Sequence, residues 1–559
     1  MQASPANIID YFNGEKQNLI PLFQRPYRWS TEKWQTLWED VMIQYELGDS
    51  ANHFMGAIVS VPARSVPVGV SKFLIIDGQQ RLTTIALLLC ALRDCVDPRT
   101  ADRIQEVYLT NRHREPEDTL KFVPTQADRD AFRAIALERQ IPEDGSLVAT
   151  AYRFFVNKLK NEEDANDQSV QPARVLSCLE RALQVVMINL TDNDDPYLIF
   201  ESLNFKGEPL SQADLVRNYV LMRFRHSPTS GGEQERVYNR HWRPLESELG
   251  GSLTEFLRHY SMKEGEDIRQ GGIYAAIKNR LRQLDTAAKV ESEMEAMRTC
   301  GGFYARFLNP DQETNGAIRR RLEHLRDLEV KTSFPLLLRL FSARHERALI
   351  DEDLEKCLSL VESFAVRRSV CGVPTNALAK LFLQWARNFP AAGHLTWLHS
   401  SMSDGKGNRR FPRDEEFADS FCKSAQYGRG ATVFVLHELE KNFEHKEAVD
   451  LSSVTVEHVL PQTLTPEWIK ELGEGAEAIH ARLLDTVGNL TLTGYNSELQ
   501  NSPFATKKTL LQTTHIELNR WILAQTNWRA TQIEERAKFL LPIATSLWVG
   551  PAIAAPKAS

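Results

Sequence analysis

Between residues 457 and 508 the chain carries two short apolar strands around a loop, and no other stretch limits its fold so sharply. The first strand runs into Glu457-His458-Val459-Leu460-Pro461-Gln462, and the second reads Gly488-Asn489-Leu490-Thr491-Leu492. Asn496, Asn501 and the pair Lys507-Lys508 follow. An imidazole can take a proton from water, and hard oxygen donors from a carboxylate and a carboxamide suit Mg²⁺. Together these groups form a kit for cutting a phosphodiester with one bound metal ion.

The rest of the chain must be organised around that segment. A length of 559 residues exceeds one hydrophobic core and points to roughly three or four domains. The composition, 42% hydrophobic and 25% charged, excludes wholesale disorder. The N-terminus lacks a charged-then-apolar signal pattern, and no run of eighteen apolar residues occurs, so no membrane partner is expected. Seven scattered cysteines without a Cys-x-x-Cys fit a reducing cytoplasm with neither disulfide framework nor structural zinc.

A net charge of −7 argues against nucleic-acid binding by bulk electrostatics. DNA contact would have to use local clusters: Arg319-Arg320-Arg321, Arg367-Arg368, Arg409-Arg410 with Arg413, or Lys507-Lys508. For any one of these clusters, a solvated helix face is the reading favoured over a phosphate contact.

Residues 1–95 read as mixed α/β: a short helix over 6–12, an extended segment over 19–23, and an amphipathic helix carrying Trp34, Leu37, Trp38, Val41 and Met42. A strand over 54–61, a hairpin loop over 62–70, a strand over 72–76 and a buried helix over 82–93 follow. Residues 96–225 continue mostly helical with a strand over 184–190. Long 3.6-residue periods make 226–440 an α-helical middle, and helices follow the kit from 507 to 541. The Ala/Pro-rich tail 549–559 is expected to be disordered.

The strand over 72–76 ends in Asp77-Gly78-Gln79-Gln80-Arg81 before a helix. A glycine turn opening a helix presents backbone N–H groups at the positive end of a dipole, which suits phosphate. Gln79 and Gln80 add amide donors, Arg81 can pair with phosphate bidentately, and Asp77 can hold a metal or a ribose hydroxyl. Upstream, Gln24-Arg25-Pro26-Tyr27-Arg28-Trp29 sets two guanidinium groups beside two rings, able to stack a base and clamp a phosphate. Taken alone, the Asp-Gly turn favours the plainer reading, with Asp77 as a cap and Arg81 in a structural salt bridge.

A third segment, Phe200 to Asn218, follows the pattern F-x-x-L-N-x-x-G-x-x-L-x-x-x-D-L-x-x-N, with Asn204, Asp214 and Asn218 as its polar positions. These three N-terminal motifs together resemble the ParB-like N-terminal domain of GmrSD-type restriction enzymes. Val366-Arg367-Arg368-Ser369-Val370-Cys371-Gly372 also looks like that family, and the order and spacing over 457–508 resemble the HNH, or ββα-metal, nucleases.

The resemblance implies a multidomain α+β chain, mainly α: a ParB-like α/β domain over 1–225, a helical middle over 226–440 and a ββα-metal domain over 441–548. It implies a modification-dependent (type IV) restriction or anti-phage protein, similar also to phosphorothioate-sensing nucleases. A nucleoside triphosphate would be bound and hydrolysed at Gln24, Arg25, Tyr27, Arg28, Asp77, Gly78, Gln79, Gln80, Arg81, Asn204, Asp214 and Asn218. In the HNH site His458 is the expected general base, with Glu457 and Asn496 as ligands of Mg²⁺ or Mn²⁺. Many HNH members have a second His where this chain has Asn496. Asn489 would pin the loop, and Lys507 or Lys508 would contact the scissile or a neighbouring phosphate. The expected partners are DNA, in particular modified phage DNA, and the triphosphate. One such site cuts one strand, so double-strand breaks need a homodimer or two events. Two other readings are a nucleotide-dependent DNA clamp or regulator with an inactive nuclease-like domain, and a nuclease whose DGQQR turn contacts only the DNA backbone.

Overall fold

The computed structural model describes residues 2–21, 24–48, 52–62, 69–190, 211–224, 232–443, 449–494 and 496–551. The chain is mainly helical and divides into two compact units: Met1–Glu246 with Tyr274–Glu295, and Ser247–Ile273 with Ala296–Ser559. The helical middle expected over 226–440 is shared between the two units, and its part from 296 onward lies in one unit with 441–548.

The first unit is built on a six-stranded mixed sheet. Its strands are β1 (Gln2–Asn7), β2 (Lys16–Leu19), β3 (His53–Pro62), β4 (Ser71–Asp77), β5 (Phe122–Val123) and β6 (Leu183–Asn189). Their spatial order is β1-β6-β3-β4-β2-β5. The helix expected over 6–12 is instead the end of β1 and one 3-10 turn, Ile8–Tyr11. β1 pairs antiparallel with β6 along the edge of the sheet, where Pro5 is tolerated for want of a ladder donor. The hairpin expected over 54–76 is present as the antiparallel pair β3–β4; residues 63–68 of its loop lie outside the described residues.

Helix α1 (Thr31–Leu47) buries Trp34, Leu37, Trp38 and Val41, the stripe its sequence spacing announces. Helix α2 (Gln79–Arg93) is buried from Leu82 to Arg93 and packs on α3 (Leu147–Asn161). A helix apolar all round can only be a central one, and the sheet and neighbouring helices enclose it. The first unit also includes α4 (Gln212–Met222), capped by Ser211.

In the second unit, α5 (Leu253–Met262) and α6 (Gly316–Asp327) precede α7 (Asp351–Val370), α8 (Asp414–Lys423) and α9 (Thr432–Lys441). A two-stranded antiparallel ribbon follows: β7 (Thr455–His458) with β8 (Leu490–Thr493), paired Glu457 to Thr491 and His458 to Leu490. After it come α10 (Phe504–Leu511) and α11 (Ala530–Leu547). One apolar cluster joins Val366, Phe417, Phe434, Leu490, Leu492, Leu540 and Trp548, so the ribbon shares its core with the preceding helices.

The basic clusters divide on inspection. Arg367 is fully buried, donating through Nε to the Trp548 carbonyl at 2.7 Å and through Nη2 to Asp414 Oδ1 at 2.6 Å. Arg368 donates to the Arg410 and Pro374 carbonyls at 3.0 and 2.8 Å. That pair therefore holds helix ends together and faces no solvent, which corrects its reading as a DNA contact. Arg321 and Arg410 are paired with Glu355 and Glu416, while Arg319 and Arg320 keep about half of their side-chain surface exposed. The tail 549–559 falls beyond description from residue 552, and no helix of the described residues is long and apolar enough to cross a membrane.

His259 on α5 supplies a pH signature of the second unit. It is buried, its Nδ1 lies 3.0 Å from the Tyr304 hydroxyl, and burial with nearby Arg258 and Lys331 pulls its pKa down to about 4. The unfolded chain binds this proton near pH 6.5 and the folded chain only near 4, so stability is full above 6.5 and falls towards 4. The loss integrates to roughly 3 kcal/mol. Thermal unfolding followed from pH 7 to pH 4 should show this fall in the wild type and a flatter profile in His259→Phe.

Candidate active site

Alternation along β7 puts Thr455 and Glu457 on one face and Val456 and His458 on the other. The neighbours of each side chain follow that division. On the first face, Lys507 Nζ donates to Glu457 Oε1 at 2.5 Å and to the His458 carbonyl at 2.7 Å. Asn496 Nδ2 donates to Thr455 Oγ1 at 2.6 Å and to the Val456 carbonyl at 3.1 Å. The Asn496 Oδ1 atom is buried and has no hydrogen-bond partner among the described residues.

On the second face, His458 Nε2 lies 3.0 Å from Asp485 Oδ1. The Tyr427 ring stands against the imidazole with centroids 4.4 Å apart. Burial lowers the His458 pKa, with Asp485 opposing, so the ring is neutral and able to accept a proton near pH 7. Asp485 holds one ring nitrogen and leaves Nδ1 for chemistry, which is the relation of a general base to its orienting carboxylate.

Sequence reasoning missed Asp485 and Tyr427. Neither stands in a recognisable motif; they reach His458 because two loops meet there, with Gln426 N and Tyr427 N both donating to the Asp485 carbonyl. The two lysines are placed differently from the phosphate contact expected of them. Lys507 is buried on Glu457, and Lys508 Nζ donates to the Gln525 carbonyl at 2.7 Å. Consecutive helical residues point about 100° apart, and on α10 the two lysines accordingly reach different acceptors.

Asn489 pins the loop, as its sequence position implied. Its Oδ1 accepts from Leu460 N at 2.7 Å and Trp528 Nε1 at 3.0 Å, and its Nδ2 donates to the Leu460 and Leu484 carbonyls. All four bonds of the carboxamide are thus made inside the protein.

The donor types suit a hard cation. Glu457 and Asn496 lie along one face of β7, and the orphaned Asn496 oxygen is an acceptor in need of a partner. Lys507 holds Glu457 meanwhile and supplies the positive charge there. Among the described residues, no three of His, Cys, Asp and Glu converge as a metal-binding group.

In the first unit, Asp77-Gly78 forms the expected junction, with Gly78 at a left-handed φ of 92° capping α2. The glutamines turn inwards. Gln79 Nε2 donates to Gln24 Oε1 at 2.9 Å, and Gln24 Nε2 in turn to the Ile76 carbonyl at 2.7 Å. Gln80 accepts from Arg28 N at 2.8 Å and donates to the Pro26 carbonyl. Tyr27 is buried, its hydroxyl bonded to Thr84 Oγ1 and Trp34 Nε1. Gln79 and Gln80 therefore lace the 24–28 loop to α2, using the amides that sequence reasoning had reserved for phosphate.

Arg81 donates to the Met55 carbonyl at 2.7 Å and feels the charge of Asp77. Gly56, at φ 97°, makes room for it: a Cβ there would stand 2.8 Å from Arg81 Nη1. Arg28 is exposed, Arg25 half-buried. Asp214 caps α4 with Ser211 and pairs with Arg217 at 2.9 Å, and Asn218 is buried on the same helix. Asn204 lies outside the described residues.

Two substitutions test these supports. Asn489→Ala would strand the Leu460 N–H and the Trp528 indole, and should cost about 2–4 kcal/mol in denaturant unfolding. Gln79→Ala should cost about 1–3 kcal/mol by leaving the buried Gln24 Oε1 without its donor, and should loosen the 24–28 loop in hydrogen exchange.

Two family models match the chain. Residues 8–221 match the GmrSD restriction endonuclease N-terminal domain, and residues 411–543 match the GmrSD restriction endonucleases C-terminal domain. No individual curated protein matches it. The first match contains the strand–helix junction at Asp77–Arg81 with its laced loop, and the second contains the β7–β8 ribbon, His458, Asp485 and Tyr427. The chain belongs to the GmrSD-type, type IV restriction endonuclease family.

Proposed function

We propose that this restriction endonuclease senses modified phage DNA and cuts it at the β7–β8 ribbon, with a nucleoside triphosphate at the N-terminal unit controlling the cut. Its family supports DNA as the substrate and a role in phage defence. The observation that carries the catalytic part is the His458–Asp485 pair at 3.0 Å, a buried neutral base with its orienting carboxylate.

In this reading His458 Nδ1 takes a proton from the attacking water, and Asp485 stabilises the imidazolium that results. Asn489 keeps the loop after β7 in register, so the base holds its direction. Lys507 fixes the start of that loop through the His458 carbonyl and balances the charge of Glu457. Glu457 and Asn496 would hold Mg²⁺ or Mn²⁺, which when bound supplies neutralisation of the charge on the phosphorane and the leaving 3′ oxygen. In the first unit Asp77 and Arg81, with exposed Arg28, would hold the triphosphate, while Gln79 and Gln80 keep the loop in place. The Lys507–Glu457 ion pair is the observation favouring a second reading, a nucleotide-dependent DNA clamp whose nuclease-like part no longer cuts.

Plasmid nicking tests this directly, with unmodified, glucosylated-hydroxymethylcytosine and phosphorothioated DNA, Mg²⁺ or Mn²⁺, and each nucleoside triphosphate in turn. His458→Ala should lower the nicking rate about 10²–10⁴-fold, the usual contribution of a general base. Asp77→Ala and Arg81→Ala should abolish triphosphate hydrolysis. Because burial lowers the His458 pKa, wild-type nicking should hold its rate as pH falls to 6.5 and decline only below it. Nicking by the wild type that His458→Ala leaves intact would overturn the catalytic assignment, and no nicking on any DNA would favour the clamp.

A further inference from the structure

The function proposed above leaves Tyr427 without a task. Its ring centroid lies 4.4 Å from that of the His458 imidazole, the planes inclined by 64°, yet the residue is 44% exposed. A tyrosine serving only to cover the imidazole would gain by burying its ring, because aromatic surface is among the most favourable to remove from water. Its hydroxyl has no hydrogen bond among the described residues, so the ring itself is what the loop presents.

The loop that carries it is firmly held. The backbone N–H groups of Gln426 and Tyr427 donate to the Asp485 carbonyl at 2.7 and 3.2 Å. Gln426 Nε2 donates to the carbonyls of Val370, Ser420 and Ser424. Arg429 Nη1 donates to those of Ser369 and Val370, and Thr432 Oγ1 to that of Gln426. Asp485 thus orients two groups at once, the imidazole through its carboxylate and the Tyr427 loop through its carbonyl. An exposed ring fixed beside a proton acceptor in a DNA-cutting enzyme has the properties of a stacking platform: rigid, apolar and tolerant of any base.

We propose that Tyr427 positions the substrate by stacking. A nucleobase flanking the scissile phosphate leaves its own stack, lies on the exposed ring and so sets that phosphate beside His458. The proposal rests on the endonuclease reading above. It adds that the DNA is locally unstacked at the cut, since a base inside the duplex presents no free face.

The test begins by mapping nick positions with the wild-type enzyme. Single-turnover kcat/KM is then compared for wild type, Tyr427→Phe, Tyr427→Leu and Tyr427→Ala, on intact DNA and on DNA made abasic at either nucleotide flanking the nick. Tyr427→Ala should lose about 10- to 100-fold on intact DNA, the size of one base–aromatic stack. Tyr427→Phe should rescue most of that loss. Tyr427→Leu, which keeps an apolar group against His458, should not. On DNA abasic at the stacked position the wild type should lose a similar factor, and Tyr427→Ala should lose no more than about twofold further.

Losses that multiply independently would overturn the proposal. So would rescue by Tyr427→Leu, or a loss that appears as a displaced pH profile of kcat with the abasic effect intact, since each marks Tyr427 as packing for His458 alone. A wild type that fails to nick, or nicking unaffected by His458→Ala, would overturn the endonuclease reading itself and this proposal with it.

Discussion

The carboxamide of Asn489 is the interaction on which the candidate active site depends. It ties the segment leaving β7 to the turn entering β8 and to the indole of Trp528, with both lone-pair sites and both hydrogens engaged. Arg536 on α11 completes the clamp from behind. Fully buried, it donates through Nη1 to the carbonyls of Val487, Gly488 and Leu490. Burial pulls its pKa down to about 9 against the opposing charge of Glu440, so it remains a cation at neutral pH. A buried cation is tolerable only where acceptors surround it, and the turn supplies them with its own backbone. Two short strands could not hold a catalytic geometry alone; an amide inside the turn and a guanidinium behind it fix the register.

That rigidity explains how adjacent residues can hold different jobs. Glu457 and His458 are neighbours in sequence but face opposite ways across β7, one towards Lys507 and the other towards Asp485. The His458 backbone carbonyl joins the two sides, because Lys507 bonds it while also holding Glu457. An imidazole paired with a carboxylate and an acid balanced by a lysine are thus assembled within one short strand and the elements that touch it.

How much of this was legible in the sequence depends on how local the determining physics is. The β7–β8 strands, the loop-pinning role of Asn489, the Asp77-Gly78 turn and the buried stripe of α1 follow from short-range chemistry, and each was readable. Asp485 and Tyr427 were not, because their approach to His458 depends on two loops meeting through backbone hydrogen bonds that no side-chain pattern encodes. Arg367 and Arg368 misled for a related reason: apart from the Asp414 carboxylate, their acceptors are main-chain carbonyls, among them those of Trp548 and Arg410 far away in the chain, and a carbonyl is the same at every residue. The 6–12 segment was misread because its edge-strand partner, β6, lies about 180 residues downstream.

The lacing of residues 24–28 to the start of α2 has a thermodynamic corollary. Gln24–Gln79 and Arg28–Gln80 join segments about fifty residues apart through amide contacts, the first of them buried, so the loop is ordered when the protein folds and not when a ligand arrives. Its ordering entropy is therefore absent from any binding equilibrium at Asp77 and Arg81. The same contacts make Arg28 and Asp77 parts of one rigid piece. A ligand that binds at one therefore meets the other already in place.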